Sequence, residues 1–295
     1  MMELVTIPAS HYCEKARWAL DACGLKYTES GYAPLLHWAA TRRRFGTRLV
    51  PVLVETSKEG GETRESVTPD SSAILQRLSQ VPEHEWLYPN ERARELEAQL
   101  SGRLGVHTRK LAYCHVLTSW RLAYKILVGP LTGLQKVLAT LLFPLLLQAL
   151  RRAFQVGPAT EQRSFALVRE MLDEVSEMLG DEPVGSRFLA GPCMPFSAAD
   201  IAFCSMVSIV VMPEPEQWTS GRFLNRYWLS PESTSRLESL RATKAGQFVL
   251  HCYANYRLVR ISQLPEAAPA SEPALSTPAH LIVHRCVKTE RVAAR

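Results

Sequence analysis

Residues 10–20, SHYCEKARWAL, carry the most informative pattern in this chain of 295 residues. An apolar, β-prone run at 4–7 precedes it, and apolar residues then recur at helical spacing until Gly24. The pattern predicts a strand, a short loop and a helix, with Ser10 and Cys13 at the start of the helix. A helix N-terminus offers free backbone N–H groups and a positive dipole end, so it favours a bound anion or a thiolate. The structural alternative is a capping serine and a small buried cysteine.

The composition is that of a globular protein. Hydrophobic residues make up 46% of the chain and charged residues 21%, which is enough for a sizeable core. The net charge of +5 is mild and the basic residues are scattered, so nucleic-acid binding is not expected. The seven cysteines include no Cys-x-x-Cys pair, so we expect neither a disulfide framework nor a metal site. A reducing, cytoplasmic compartment is the expectation, and no signal peptide is evident.

Residues 1–81 are predicted to form an α/β domain. Strand-like runs lie at 4–7, 26–29, 49–54 and 63–67, and helix-like runs lie at 10–23, at 35–44 and from Ser71 onward. The turn-forming sequence EGGE at 59–62 predicts a hairpin between the last two strands. This order predicts a parallel first pair of strands, an antiparallel second pair and helices on both faces of the sheet.

Residues 89–262 are predicted to be all helical. Apolar residues recur at helical spacing over 91–127, as one long helix or two, and again over 161–179. Ser197 and Asp200 form a capping-box pattern ahead of an almost wholly apolar helix, which we expect to be central. The last part, 263–295, is rich in Pro and Ala without periodicity and is predicted to be a disordered tail.

The most apolar stretch is 126–150. Its length would allow a membrane span, but Pro130, Lys136 and Pro144 interrupt it. We interpret it as a buried helix. The alternative is a helix that contacts a membrane surface or a partner, which would make the protein peripherally membrane-associated.

Three of these motifs, in this order, resemble the thioredoxin-like N-terminal domain of the cytosolic glutathione transferases. They are the strand–Ser-x-x-Cys–helix start, the Val50-Pro51 step and the Asp70-Ser71 helix start. Residues 10–13 are also similar to the Cys-Pro-Tyr-Cys of the glutaredoxins with the first Cys replaced by Ser. The capping box at Ser197 resembles that of the all-helical C-terminal domain of the same superfamily. The resemblance implies a thioredoxin-like α/β domain followed by an all-α helical bundle and, by analogy, a homodimer.

The resemblance implies glutathione as co-substrate, with no metal. Ser10 would donate a hydrogen bond that stabilises the glutathione thiolate, without itself attacking the second substrate. Cys13 is the rival, since it could form a mixed disulfide with glutathione. Val50 would offer its backbone N–H and C=O to the glutathione cysteine beside a cis-proline, Pro51.

The same resemblance assigns the two charged ends of glutathione. Asp70 and Ser71 would hold the γ-glutamyl end at a helix N-terminus. Arg44 and Arg48 are both candidates for the glycine carboxylate, and the sequence does not choose between them.

The second substrate would lie between the domains, where Trp120 and Tyr124 are candidates for its pocket, with core packing as their structural alternative. The predicted activity is conjugation of glutathione to a small hydrophobic electrophile, or thiol-dependent reduction of it. The alternative is a non-catalytic binding or scaffolding protein with this fold. It is favoured by Leu49, which stands where the family usually has a lysine, by Asp70, which stands where many members have Glu or Gln, and by the apolar stretch at 126–150.

Overall fold

The computed structural model describes residues 1–59, 62–222, 224 and 226–258. The strands are β1 (Met2–Thr6), β2 (Thr28–Gly31), β3 (Val52–Glu59) and β4 (Glu62–Pro69). The helices are α1 (His11–Ala22), α2 (His37–Phe45), α3 (Ser71–Leu78), α4 (Glu91–Gln99), α5 (Gly105–Val116), α6 (Trp120–Leu127), α7 (Gly133–Leu141), α8 (Phe143–Ala153), α9 (Pro158–Leu179), α10 (Ala198–Val211), α11 (Pro231–Arg241) and α12 (Lys244–Asn255). Short 3₁₀ turns lie at Pro82–Leu87, Pro215–Gln217, Thr219–Arg222 and Arg226–Trp228, and a π-helical turn lies at Leu100–Leu104.

The N-terminal part is a four-stranded sheet in the order β2-β1-β3-β4. Strand β1 runs parallel to β2 and antiparallel to β3, and β3 and β4 form an antiparallel pair. Leu4 and Leu53 belong to the main core with residues of α1 and α3, whereas Val5 packs with Phe45 of α2 on the opposite face. The predicted topology, with helices on both faces, is confirmed.

Two strand boundaries differ from the prediction. The second strand begins at Thr28, two residues later than the sequence pattern indicated. The apolar run at 49–54 becomes a strand only from Val52, because Pro51 has no N–H to donate to a strand ladder. The hairpin tip at 60–61 and the predicted tail at 263–295 lie outside the described residues.

The rest of the described chain is helical, as predicted. The long pattern at 91–127 is divided into α4, a π-helical turn, α5 and α6. Helix α10 is central, since every one of its residues is buried and it contacts α1, α4, α5, α11 and α12. The capping box is formed: the Asp200 carboxylate accepts from the Ser197 N–H at 2.9 Å and from the Ser197 hydroxyl at 2.8 Å.

The expectation of one buried helix at 126–150 is wrong. The stretch forms the end of α6 followed by α7 and α8, which are bent by 72° relative to each other at Leu142. Its apolar residues lie on both the inner and the outer side of the helix pair, and only the inner side packs on the core. Five large apolar side chains in α7 and α8 remain exposed, as does Leu142 between the helices. No single helix among the described residues has the length and apolarity of a membrane span. Helices α7 and α8 taken together do have that length and apolarity, with the 72° bend between them.

Candidate functional site

A cavity of about 250 Å³ lies between the sheet domain and the helical part. The loop before α1, the start of α2 and the loop before β3 form one wall, and helices α5, α6 and α8 form the other. The residues that line it include Ser10, His11, Tyr12, Trp38, Arg48, Leu49, Val50, Arg109, Tyr113 and Phe154.

Ser10 lies at the cavity wall as the N-cap of α1. Its Oγ accepts a hydrogen bond from the N–H of Cys13 at 3.4 Å, and its own N–H donates to the Ile7 carbonyl at 3.0 Å. A hydroxyl can accept and donate at once, and a hydrogen bond with Ser10 lowers the pKa of the Cys13 thiol, so the Ser10 proton has two directions open to it: the Cys13 sulfur or an acceptor in the cavity. The side chain is half-buried, so a ligand in the cavity can reach it.

Cys13 does not line the cavity. Its side chain is 0% exposed, and its Sγ accepts a hydrogen bond from the Ile7 N–H at 3.4 Å. Burial raises the pKa of the Cys13 thiol, and the nearby charge of Arg17 opposes that effect only in part. The two candidate residues of the Ser-x-x-Cys motif are thus separated: Ser10 faces the cavity and Cys13 faces the interior.

The Val50-Pro51 peptide bond is cis, and Val50 lines the cavity. Within the described ranges, no hydrogen bond is made to the Val50 backbone, so its N–H and C=O are open to a ligand. The Pro51 carbonyl accepts from the N–H of Asp70 at 3.0 Å, which places the start of α3 directly behind the turn.

Asp70 and Ser71 lie beyond Pro51, outside the cavity lining. Asp70 has a left-handed backbone with φ of +76°, and its carboxylate caps α3 by accepting from Ser72 N at 2.8 Å and Ala73 N at 3.4 Å. The Ser71 hydroxyl is buried and, in the part of the chain described, has no hydrogen-bond partner. At the start of α3, therefore, the Asp70 carboxylate is engaged in capping the helix, whereas the Ser71 hydroxyl has no hydrogen-bond partner among the described residues.

The structure distinguishes the two arginine candidates. Arg44 on α2 pairs with Glu3 at 2.8 Å, and its guanidinium lies 4.7 Å from the Phe45 ring centre, away from the cavity. Arg48 is exposed, lines the cavity and lies 5.3 Å from the ring centre of Trp38, which also lines it. Only Arg48 of these two is placed to contact a ligand in the cavity.

Trp120 and Tyr124, the candidates for the second-substrate pocket, do not line the cavity. Both lie on α6 and pack against Phe143, with ring centres 6.5 and 5.1 Å away. Trp120 is 60% exposed, and the Tyr124 hydroxyl lies 3.0 Å from the Thr140 hydroxyl. They join α6 to the bent helix pair.

Arg109 on α5 is the cavity residue that the sequence interpretation missed. Its guanidinium lies 5.7 Å from the ring centre of Tyr12 and 5.0 Å from that of Phe154, and its Nε is buried. No described residue accepts a hydrogen bond from that Nε. In the sequence, Arg109 could have been identified as an arginine on the same helical stripe as the apolar Ala112, Tyr113 and Val116. All of these residues line the cavity.

His11 and Tyr12, also missed, connect the cavity loop to the start of α5. His11 Nε2 lies 3.0 Å from the Gly105 carbonyl, and the Tyr12 hydroxyl donates to the Ser101 carbonyl at 2.9 Å. Burial lowers the pKa of His11 to about 3, with the charge of Arg109 as a second cause, so its ring is neutral at pH 7. Gly105 permits this approach, since a Cβ there would lie 2.6 Å from the Tyr12 hydroxyl oxygen.

A buried ion pair holds α1 in place beneath the cavity. Lys15 and Glu97 are both 0% exposed and pair directly, and both also hydrogen-bond to the hydroxyls of Ser72 and Ser101 at 2.8–2.9 Å. Burial raises the pKa of Glu97, but the Lys15 charge and these hydrogen bonds lower it below its ordinary value overall. The pair links α1, α3, α4 and the π-helical turn, so it fixes the helix that carries Ser10.

The described ranges contain no group of three or more His, Cys, Asp or Glu residues that could hold a metal ion. The cavity wall brings together a hydroxyl at a helix N-terminus, an open backbone edge at Val50 and the two arginines Arg48 and Arg109.

Comparison with known proteins finds a family match over the N-terminal domain and a shared fold over most of the chain. Residues 4–86 match the family model described as glutathione S-transferase, N-terminal domain. No curated protein matches the chain. The solved structure of the glutathione S-transferase CsGST63524 of Ceriporiopsis subvermispora, in complex with glutathione, is 15% identical with a TM-score of 0.52. The match covers 88% of this chain and 98% of that one.

Two further structures are similar over most of their length. FzlA from C. crescentus is 17% identical with a TM-score of 0.47, covering 85% of this chain and 92% of that one. A glutathione transferase family member from Pseudomonas fluorescens, with two glutathione bound, is 15% identical with a TM-score of 0.46, covering 84% and 92%. Residues 4–86 therefore match a glutathione S-transferase N-terminal domain, and the chain shares the fold of the CsGST63524 structure, a thioredoxin-like domain followed by a helical one.

Proposed function

We propose that this protein binds glutathione and joins its sulfur to a small hydrophobic electrophile, or that two glutathione thiols in turn reduce that electrophile and leave as glutathione disulfide. The observation that carries the proposal is the position of Ser10. Its hydroxyl stands at the N-terminus of α1, on the wall of a cavity that the open backbone of Val50 also lines.

Glutathione would bind along the sheet-domain wall. Its cysteine would pair with the Val50 backbone as a short β-strand does. Its glycine carboxylate would meet Arg48, which is exposed beside Trp38. Its γ-glutamyl end would reach the first turn of α3, where the buried Ser71 hydroxyl has no partner in the described chain.

Ser10 would make the thiol reactive near neutral pH. A free thiol ionises with a pKa of about 8.5, so most of it is protonated at pH 7. A hydrogen bond donated by Ser10 and the positive end of the α1 dipole both favour the thiolate. The thiolate then attacks the electrophilic carbon: a C–S bond forms, and the leaving group departs with its electron pair. In an addition reaction, the acceptor instead takes up a proton from solvent.

The acceptor would occupy the helical wall. That wall is apolar apart from Arg109, whose buried Nε is without a hydrogen-bond acceptor in the described chain. Arg109 as a whole is half-buried, but a buried N–H without an acceptor is unfavourable, so a ligand that supplies an anionic oxygen to that Nε gains affinity. We therefore infer that the preferred acceptor is an apolar molecule with a carboxylate or sulfonate.

The first experiment is a titration of glutathione against the intrinsic tryptophan fluorescence, to which Trp38 in the cavity contributes. Saturable binding that Arg48→Gln weakens, and that Arg44→Gln leaves unchanged, supports the proposal. Absence of saturable glutathione binding would overturn it.

The second experiment tests the acceptor. Two chloronitroarenes matched in size, one with a carboxylate and one without, are compared in conjugation assays. We expect Arg109→Gln to lower kcat/KM for the carboxylate by about 10-fold or more and to leave the uncharged acceptor almost unaffected. Equal losses for both would assign Arg109 to packing.

A non-catalytic binding protein with this fold is the second candidate. One observation favours it: the exposed leucines of α7 and α8, which no reaction in the cavity requires. Saturable glutathione binding together with no turnover of either acceptor would select this candidate.

A further inference from the structure

The bent helix pair carries an exposed apolar surface, which we call the leucine face. It consists of Leu134, Val137, Leu138, Leu141, Leu142 and Leu145, which are 74, 54, 47, 72, 41 and 71% exposed. Large apolar residues are normally exposed singly, and a contiguous group of them marks a site of interaction.

The leucine face is not needed for packing the helix pair. The opposite side of α7 and α8 already attaches it to the core through Ala139, Phe143, Leu146, Leu147 and Leu150, each at most 7% exposed. Gln135 adds a polar attachment, since its side-chain amide accepts from the Ala33 N–H at 3.0 Å and donates to the Gly31 carbonyl at 3.2 Å. The residues of the leucine face are therefore exposed to solvent on a helix pair that is firmly packed on the core.

The charge around the leucine face has one sign. Residues 98–160 contain no Asp or Glu, although the whole chain has 29 of them. The same segment contains eight basic residues: Arg103, Arg109, Lys110, Arg121, Lys125, Lys136, Arg151 and Arg152. Arg121, Lys136 and Arg152 are exposed on the helices that carry or adjoin the face, as is Trp120. The segment that carries the leucine face therefore combines exposed apolar side chains with exposed basic ones and contains no acidic residue.

We propose that the leucine face docks on the surface of a membrane that contains anionic lipids. Apolar side chains flanked by Lys and Arg suit the boundary between acyl chains and anionic headgroups, and tryptophan is favoured at the same depth. The 72° bend fits a helix pair that lies on the surface better than one that crosses the bilayer.

A second copy of the chain fits this surface less well. In a two-fold dimer the face would meet itself, so Arg121, Lys136 and Arg152 of one copy would approach the same residues of the other. With no carboxylate in the segment to compensate, like charges would oppose that contact. Lipid phosphates supply the missing negative charge.

The test is sedimentation of the full chain with vesicles. We expect it to pellet with vesicles of phosphatidylcholine and phosphatidylserine, to pellet less with phosphatidylcholine alone, and to be released by salt. Leu141→Ser combined with Leu145→Ser should reduce the partition coefficient by about tenfold or more. The matched control is Leu258→Ser, which changes a leucine that is 72% exposed elsewhere and should leave binding unchanged.

Two results would overturn the proposal. One is that the chain does not pellet with the anionic vesicles, or that Leu141→Ser/Leu145→Ser pellets as well as the unchanged chain. The other is that the same double variant abolishes self-association in sedimentation velocity without lipid, which would assign the face to a second copy. Glutathione titration without vesicles tests the proposed function separately, so failure of one proposal is distinguishable from failure of the other.

Discussion

Ser10→Ala removes the hydroxyl proposed to stabilise the glutathione thiolate. A hydrogen bond to a charged group contributes about 1.5–3 kcal/mol. Since one pKa unit corresponds to about 1.36 kcal/mol, loss of the bond should raise the pKa of the bound thiol by about one to two units. At a pH below the pKa of the bound thiol in both the unchanged protein and the variant, Ser10→Ala should lower the thiolate fraction and kcat/KM for conjugation by about 10- to 100-fold.

The assay is the ultraviolet absorbance of the thiolate in the protein–glutathione complex, followed across pH and compared with the pH profile of kcat/KM. The deficit of Ser10→Ala should shrink as the pH rises, because at high pH glutathione ionises without assistance. Ser10→Thr, which keeps a hydroxyl at the N-cap, should retain a lowered thiol pKa.

Two control variants separate chemistry from folding. Ser10 is the N-cap of α1, so alanine also destabilises the helix by about 1 kcal/mol, whereas glycine costs only a few tenths. Ser10→Gly should therefore show the full rise in thiol pKa with little loss of stability. Cys13→Ala changes a side chain that is 0% exposed and should leave the thiol pKa unchanged. An unchanged thiol pKa in both Ser10→Ala and Ser10→Gly would refute the assignment of Ser10.

Three further predictions concern the support of the site, each measured by urea unfolding. His11 has a folded pKa of about 3 against 6.5 ordinarily, so unfolding takes up a proton and stability is lost as the pH falls below 6.5; by pH 5 the loss is about 2 kcal/mol, and His11→Asn should abolish this component. Lys15→Met leaves Glu97 buried without its partner and should cost about 3–5 kcal/mol, most of which the double variant Lys15→Met/Glu97→Leu should recover; no recovery would contradict the ion-pair account. Gly105→Ala places a Cβ 2.5 Å from the Met206 sulfur and should cost about 1–3 kcal/mol, with Met206→Ala relieving part of it.

The glutathione transferase fold was predictable because its signals are local. Ser10 as an N-cap, the Val50-Pro51 turn and the Ser197–Asp200 capping box each depend on residues a few positions apart. Hydrophobic periodicity is equally local, and it gave the order of strands and helices. Boundaries were less accurate, as the start of β3 after Pro51 illustrates.

Side-chain exposure could not be predicted, because it depends on which faces meet. Ser10 and Cys13 are three positions apart, yet one borders the cavity and the other is enclosed. The sequence offers Arg44 and Arg48 as equally good candidates for the glycine carboxylate. Only the fold distinguishes them, because it pairs Arg44 with Glu3 and leaves Arg48 at the cavity.

Propensity, capping and periodicity act within a few residues, so the sequence alone predicts most of the order of strands and helices and the helix start that carries Ser10. Tertiary structure alone decided that Lys15 pairs with Glu97, 82 positions away, and that Arg109 enters an apolar cavity. It also decided that the leucines of α7 and α8 face outward, because a helix pair that is apolar on two opposite sides can bury only the side that meets the core.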